Sequence, residues 1–338
     1  MEPEWRPAVL TAPLPGGRVR CGLCPYNCGL DEGQTGPCQV RRNRDGVLET
    51  ATFTAAVAHV DAIERKPFYH LRPGARVLTV ASPGCTFSCG YCINHRLSQY
   101  GREATAPWLG SAAIPAELAA QARAADAMLG LSYTEPGLAP ELTLALAEQG
   151  LPIVWKTNGF LTPAAIDLVA PVLLGVNIDV KAADTRSHRD LTGAPLGPVL
   201  DAIERFLAAG VWVEVCTPLI PGVSASPEQL DTIAHRLAAI SPDLPWHLLR
   251  FTPDFKMLLD PPTPPAMLES ARKIGHEAGL RFVYVERALG APGRRTECPG
   301  CATTLVERGI WATHEVHLRS DKCPNCGAHI PGRWEVRP

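Results

Sequence analysis

The sequence predicts an α/β chain built around a partial, laterally open (β/α)6-type barrel, with a small N-terminal Cys-rich segment and a C-terminal zinc-ribbon-like module. Three observations carry that expectation. From Arg76 onward, short β-rich runs alternate with longer amphipathic segments, the pattern of sequential strand-helix units with parallel strands. About six such repeats occur, short of the eight that close a full barrel. Two groups of four cysteines lie outside the repeats, at Cys21, Cys24, Cys28 and Cys38 and at Cys298, Cys301, Cys323 and Cys326. The corresponding divisions are 1–75, 76–290 and 291–338.

Composition narrows the function. With a net charge of -2 over 338 residues and both signs mixed along the chain, there is no broad basic footprint for nucleic acid. No run of about eighteen apolar residues occurs, and Met1-Glu2-Pro3-Glu4 lacks a basic region followed by an apolar one, so a soluble, cytoplasmic protein without a membrane partner is expected. Ten of the 12 cysteines fall in C-x2-C and C-x3-C patterns, which in a reducing cytosol are metal ligands rather than disulfides. Many of the 33 prolines stand where helices should begin.

In the first segment, Cys21, Cys24, Cys28 and Cys38 share a Gly-rich loop and form one metal site. So short a stretch cannot bury a core, so the metal itself would fix the loop. Zinc and an auxiliary iron-sulfur cluster both suit a thiolate-only site. A two-cluster ferredoxin insert would need repeated C-x2-C-x2-C-x3-C runs, which are absent. Residues 46–60 alternate enough to suggest a strand pair, and the charged run Asp61-Ala62-Ile63-Glu64-Arg65-Lys66-Pro67 is expected to be a solvated connector rather than a contact with the catalytic domain or substrate.

The first barrel strand is expected at 77–81, and later ones at 130–133, 153–157, 176–180, 212–217, 247–251 and 282–285. Helices are expected at 115–129, 138–149, 163–172, 196–209, 227–239 and 265–278. Polar residues follow the strands, where such folds place their chemistry: Thr134-Glu135-Pro136 after the second and Asn158-Gly159 after the third.

The loop after the first strand holds Cys85, Cys89 and Cys92 in C-x3-C-x2-C spacing. Three such thiolates can hold three irons of a [4Fe-4S] cubane and leave the fourth open. An open iron can bind S-adenosylmethionine (SAM) through its amino and carboxylate groups and pass an electron to the sulfonium. Zinc ribbons use C-x2-C pairs instead. Such pairs stand at Cys298 and Cys301 and at Cys323 and Cys326, separated by 21 residues, and predict one tetrahedral site, zinc first and an auxiliary iron-sulfur cluster as the alternative. His314, His317 and His329 lie nearby as surface residues, and Cys216 is expected to be a buried small hydrophobe.

The cluster loop resembles the radical SAM superfamily. Its surroundings resemble the AmmeMemoRadiSam system radical SAM enzymes, in the pyruvate formate-lyase activating enzyme-like branch. The likeness runs through the opening Cys-x2-Cys-Pro-x2-Cys-Gly, Ile63-Glu64-Arg65-Lys66-Pro67-Phe68-Tyr69-His70, Cys92-Ile93-Asn94 and Ser98-Gln99. It continues through Tyr133-Thr134-Glu135-Pro136, Thr157-Asn158-Gly159-Phe160, Asn177-Ile178-Asp179-Val180-Lys181, Leu219-Ile220-Pro221-Gly222, Arg250-Phe251-Thr252-Pro253-Asp254 and Thr263-Pro264-Pro265.

This resemblance implies that Cys85, Cys89 and Cys92 ligate the catalytic cluster and that Tyr91 lies against the adenine of SAM. Glu135 stands where the superfamily's Gly-Gly-Glu motif carries the residue receiving the methionyl ammonium, with Tyr133 and Thr134 replacing the glycines. Asn158 falls in the cofactor-binding Thr-Asn-Gly motif. Asp179 and Lys181 match an Asp-x-Lys pair that contacts SAM, although at i and i+2 on a strand they also face the same way and could pair with other side chains. Lys156 replaces the aspartate that helps hold a monovalent cation in activases, and its ammonium is expected to take over that charge. Glu286-Arg287 departs from the usual Gly-Asn.

The resemblance also implies reduced ferredoxin or flavodoxin as electron donor, a protein or peptide substrate, and association with the other proteins of the AmmeMemoRadiSam system. The alternatives are a glycyl-radical enzyme activase, an enzyme modifying a small molecule or RNA, and a non-catalytic metal-dependent scaffold.

Overall fold

In the computed structural model, which describes residues 3–285 and 289–334, the alternating runs form one large sheet with helices between its strands. The strands are β1 (Val57–Ala62), β2 (Arg76–Ala81), β3 (Ala127–Leu131), β4 (Ile153–Thr157), β5 (Leu173–Asp179), β6 (Trp212–Leu219), β7 (Trp246–Arg250) and β8 (Val283–Val285). Their hydrogen-bonding order is β8-β7-β6-β5-β4-β3-β2-β1. β3 runs parallel to β2 and β4, and β7 runs parallel to β6 and β8. The two edges are different strands, so the sheet is an unclosed (β/α) arrangement, as the number of repeats predicts. β3 is apolar throughout and all five of its residues are buried, as for a strand covered on both faces. Glu286 and Arg287 lie outside the described residues.

The connecting helices are α1 (Pro115–Ala124), α2 (Pro140–Ala147), α3 (Pro163–Val169), α4 (Thr185–Thr192), α5 (Gly197–Ala208), α6 (Pro227–Ile240) and α7 (Pro265–Glu277). Proline opens α1, α2, α3, α6 and α7, where its missing N–H is not needed and its fixed φ suits the first turn. α4 is capped by Asp184, which accepts from the amides of Arg186 and Ser187 at 2.8 and 2.9 Å. α6 begins with a capping box of Ser226 and Gln229. Among the described residues, no helix is long and apolar enough to cross a membrane.

The chain divides into two compact units. The first takes the residues up to Asp61, then Arg76–Val176 and Gly197–Val211; the second takes Ala62–Ala75, Asn177–Leu196 and the residues from Trp212 on. In the first unit, small antiparallel sheets carry the N-terminal cysteines. Residues 46–60 hold three strands, Val47–Thr50, Thr54–Ala55 and Val57–Ala62, but these do not pair with one another; Thr54–Ala55 pairs with Ser111–Ala112. Val47–Thr50 pairs with Arg41–Arg44, while Val57–Ala62 joins the large sheet as β1. The reason is the Asp45-Gly46 turn, where φ is 53° and 74°, values that suit a tight hairpin.

In the second unit, the charged run is not the solvated connector its composition suggests. Glu64 and Lys66 are buried. Glu64 accepts from the Gly74 amide at 2.7 Å and the Thr313 hydroxyl at 2.5 Å. Arg65 stays exposed and lies over the Trp311 ring. Fixed partners far away in sequence thus replace water for these charges.

The C-terminal strands Thr304–Arg308 and Thr313–Val316 form an antiparallel pair. Their core is continuous with Tyr69, Phe282 and Tyr284. Beneath it lies a buried polar network. Glu214 accepts from the amides of Tyr69 and His70 at 2.9 and 2.8 Å and from His247 Nε2 at 2.6 Å. His70 Nδ1 donates to the Pro331 carbonyl at 2.7 Å, leaving Nε2 to accept from the Tyr284 hydroxyl at 2.6 Å. Burial lowers the pKa of His70 to about 4 and so keeps it neutral.

Candidate active site

The cysteine loop leaves the end of β2 through Gly84, whose φ of +107° is open to glycine but strained for other residues. A Cβ here would come within 3.1 Å of the Cys38 carbonyl and 2.9 Å of Val40, so glycine lets the loop lie directly on the N-terminal segment. The Cys85 sulfur accepts from the Phe87 amide at 3.3 Å, and Cys92 contacts the Ser98 hydroxyl at 3.3 Å. Burial, then Glu135 and the neighbouring Cys89 and Cys92, push the Cys85 thiol up, so its proton leaves when a metal takes its place. Tyr91 is half-buried immediately before Cys92.

Glu135 follows β3 and is 5 % exposed. Its Oε1 accepts from the Gly137 amide at 2.7 Å and the Thr157 hydroxyl at 2.6 Å, and its Oε2 from the Asn158 amide at 2.8 Å. Gly137 is required, since a Cβ there would meet Glu135 Oε1 at 2.7 Å. The Asn158 side chain turns to the cysteine loop, donating to Thr86 Oγ1 at 2.8 Å and reaching the Cys85 sulfur at 3.6 Å. The ends of β2, β3 and β4 therefore converge on Cys85 through one asparagine.

Tyr133, in the place of a motif glycine, keeps a glycine-like φ of 72°. Its hydroxyl donates to Asp61 at 2.8 Å, and Asp61 also binds His59 at 2.6 Å. The backbone conformation thus survives the loss of glycine because the ring is anchored. Lys156 is half-buried on β4. In the second unit, Asp179 ends β5 and forms an ion pair at 2.8 Å with Lys181, which lies two residues beyond the strand. Cys216 is fully buried on β6.

Residues without a cysteine signature complete the loop. Arg102 donates to the carbonyls of Pro37, Phe87 and Cys85 at 2.7, 2.8 and 2.8 Å. Gln99 donates to the Phe87 carbonyl at 3.1 Å. The pair Ser98-Gln99 was visible in the sequence as part of a motif; Arg102 carried no signal.

The two four-cysteine groups differ. Cys298, Cys301, Cys323 and Cys326 form, among the described residues, the one group of three or more Cys, His, Asp or Glu whose ligand atoms all lie within 4.8 Å of one another. Their sulfurs approach to 3.5 Å (Cys298 to Cys326) and 3.7 Å (Cys301 to Cys323). The Thr303 hydroxyl, 3.2 Å away, is the largest influence holding Cys301 down to about 5. His317 and His329 are exposed beside Glu315 and Asp321, as expected for surface residues. Cys21, Cys24, Cys28 and Cys38 instead line a single cavity with Thr86 and Leu138. Burial pushes Cys24 up to about 12 and Cys28 to about 11, with neighbouring thiols adding to both.

Residues 79–236, which span the cysteine loop, Glu135, Asn158, Asp179 and Lys181, match the profile of the radical SAM superfamily. The chain belongs to that superfamily. Over 96 % of its length, this radical SAM chain is 32 % identical to the uncharacterized protein MJ0808 of Methanocaldococcus jannaschii and covers 98 % of it. A stretch of 33 % of the chain is 31 % identical to the benzylsuccinate synthase activating enzyme of Thauera aromatica, covering 36 % of that enzyme. A radical SAM methyltransferase from Sphaerobacter thermophilus superposes with a TM-score of 0.48 at 18 % identity, over 63 % of this chain and 67 % of that one. A radical SAM enzyme uses a [4Fe-4S] cluster and SAM, and the loop fits the cluster: its three thiols are spread wider than one ion requires, and Cys85 is met by an amide and a carboxamide N–H.

Proposed function

We propose that this radical SAM enzyme cleaves SAM reductively at a [4Fe-4S] cluster held by Cys85, Cys89 and Cys92 and abstracts hydrogen from a protein or peptide substrate. The observation that carries the reading is Asn158, which reaches the Cys85 sulfur with its side chain and fixes Glu135 with its amide. When bound, the cluster and SAM supply the electron and the organic radical; the chain holds, orients and screens them. Glu135, whose Oε2 accepts from the Asn158 amide, would receive the methionyl ammonium of SAM. Tyr91 would lie against the adenine, and the Lys181 ammonium, paired with Asp179, would receive the SAM carboxylate. Lys156 supplies the positive charge that a monovalent cation gives elsewhere. The compact C-terminal thiols hold zinc, since a Zn–S bond of about 2.3 Å sets a tetrahedron edge of about 3.8 Å, close to the contacts observed.

The electron comes from reduced ferredoxin or flavodoxin in the cytoplasm, where the thiols stay reduced. The test is 5'-deoxyadenosine formation by anaerobically purified protein with dithionite and SAM. The wild type is expected to form it and a Cys85/Cys89/Cys92→Ala variant to lose it; a cluster-loaded wild type that forms none overturns the reading. Similarity to the benzylsuccinate synthase activating enzyme favours a second reading, activation of a glycyl-radical enzyme. An oxygen-sensitive glycyl signal appearing on a candidate partner would support it.

A further inference from the structure

The two four-cysteine groups have different geometries, and the difference assigns different metals to them. We propose that Cys21, Cys24, Cys28 and Cys38 bind a second, polynuclear iron-sulfur cluster rather than one zinc ion, and that this cluster feeds electrons to the one at Cys85, Cys89 and Cys92. The electron-feeding role rests on the function proposed above; the identity of the metal does not.

The C-terminal group serves as an internal standard. Its thiols close to 3.5 and 3.7 Å, the spacing of a single tetrahedral ion. The N-terminal thiols face one cavity, yet no three of them gather within 4.8 Å of one another. Cys85, Cys89 and Cys92 behave the same way, and they belong to the loop that superfamily membership gives to a cubane. A cubane places irons and sulfides between its thiolates and holds them apart, whereas a single ion draws them together.

The surroundings fit a cluster. Leu23, Leu30 and Leu138 line the cavity with apolar surface. Arg41 is 1 % exposed, and its guanidinium lies 4.0 Å from the Cys21 sulfur, with Glu141 at 2.6 Å on its other side. A buried positive charge beside four thiolates offsets their negative charge in a low-dielectric wall.

The position fits electron feeding. Thr86, in the cavity wall, is the residue after Cys85. Gly84 lies against the Cys38 carbonyl, and Arg102 joins the Pro37 carbonyl to the Cys85 carbonyl through one guanidinium. One electron at a time would enter from a reduced ferredoxin or flavodoxin, oxidising that carrier, and would leave to the inner cluster. No bond forms or breaks, and no proton moves.

The experiment is iron, sulfide and zinc analysis of the anaerobically purified full chain, with Mössbauer and electron paramagnetic resonance spectra. It is repeated on Cys24→Ser/Cys28→Ser and Cys301→Ser/Cys323→Ser variants. About eight irons and one zinc per chain are expected in the wild type, which requires no variant to fold. The first variant should lose about half the iron while keeping a SAM-responsive signal; the second should lose the zinc and keep the iron. Reduction of the remaining cluster by reduced flavodoxin, followed in a stopped-flow instrument, should slow by about tenfold or more in the first variant. About four irons and two zincs in the wild type overturn the proposal. Eight irons with an unchanged reduction rate overturn the electron-feeding role alone. Eight irons without SAM cleavage overturn the proposed function and leave the second cluster standing.

Discussion

The Arg102 guanidinium donates to the Cys85 carbonyl at 2.8 Å, and the same group reaches Pro37 in the other cysteine loop. Position and charge matter here together, because the fork of an arginine can serve several carbonyls that a lysine cannot. Arg102→Ala is expected to cost about 2 kcal/mol in the cluster-loaded protein and to speed iron loss on exposure to air. Arg102→Lys should recover less than half of either effect. Denaturant unfolding and timed iron release check both; a lysine variant equal to wild type would contradict the role.

Glu135 holds three donors at once. Glu135→Gln removes the charge and turns an NH2 toward one of them, so SAM binding should weaken by roughly tenfold or more while iron content stays unchanged. Equilibrium binding of SAM to the reduced and oxidised protein measures this. A drop in iron with no change in SAM affinity would reassign the residue to holding the loop.

Much of this arrangement was legible in the sequence. The strands β2 to β8 and six of the seven helices fall near the expected positions, because period and proline placement are local signals; α4, which no proline opens, was not expected, and α1 stops at Ala124, before β3, where the helix was expected to run on to 129. The cysteine loop, Glu135 and Asn158 were legible because cluster chemistry fixes residue type and spacing. The partners of the charges were not. Glu64 meets Thr313 across 249 residues, and Arg41 meets Glu141 across 100. Burial of those charges depends on tertiary partners that composition does not encode. The Asp45-Gly46 turn was legible in principle, since that dipeptide strongly favours a hairpin, but alternation over 46–60 masked it.

His70 gives a pH signature. Its pKa falls from the ordinary 6.5 to about 4 on burial, so the unfolded chain takes up a proton before the folded one does. The stability this provides is fully present above about pH 6.5 and is lost as pH falls toward 4. Between pH 7.5 and 5.5 the loss should be about 1.4 kcal/mol. His70→Gln should remove that slope, whatever its effect on absolute stability. Urea unfolding of both proteins at several pH values decides it, and parallel slopes would refute the assignment.

The C-terminal metal should support more than its own loops. Cys298 and Cys323 share a core with Tyr69, Phe282 and Tyr284. Cys323→Ser, or zinc removal with a chelator that leaves the iron in place, should lower the melting temperature by on the order of 5 °C or more. Calorimetry is the check. A separate small transition with the main one unmoved would show that the ribbon melts alone.

The bonds that join Arg333 to the chain near Leu71 bear on how the protein is made. Arg333 donates its amide to the His70 carbonyl at 2.7 Å, and Arg72 donates to the Arg333 carbonyl at 2.8 Å. Close by, His70 waits across 261 residues for Pro331. At ordinary rates of translation that interval lasts on the order of tens of seconds. During it, the residues around Leu71 are outside the ribosome without their partners, and long-range closure of this kind is slow. A polypeptide that stops short of Arg333 lacks the amide and carbonyl that bond His70 and Arg72, so this part of the fold closes only after residue 333 has been made.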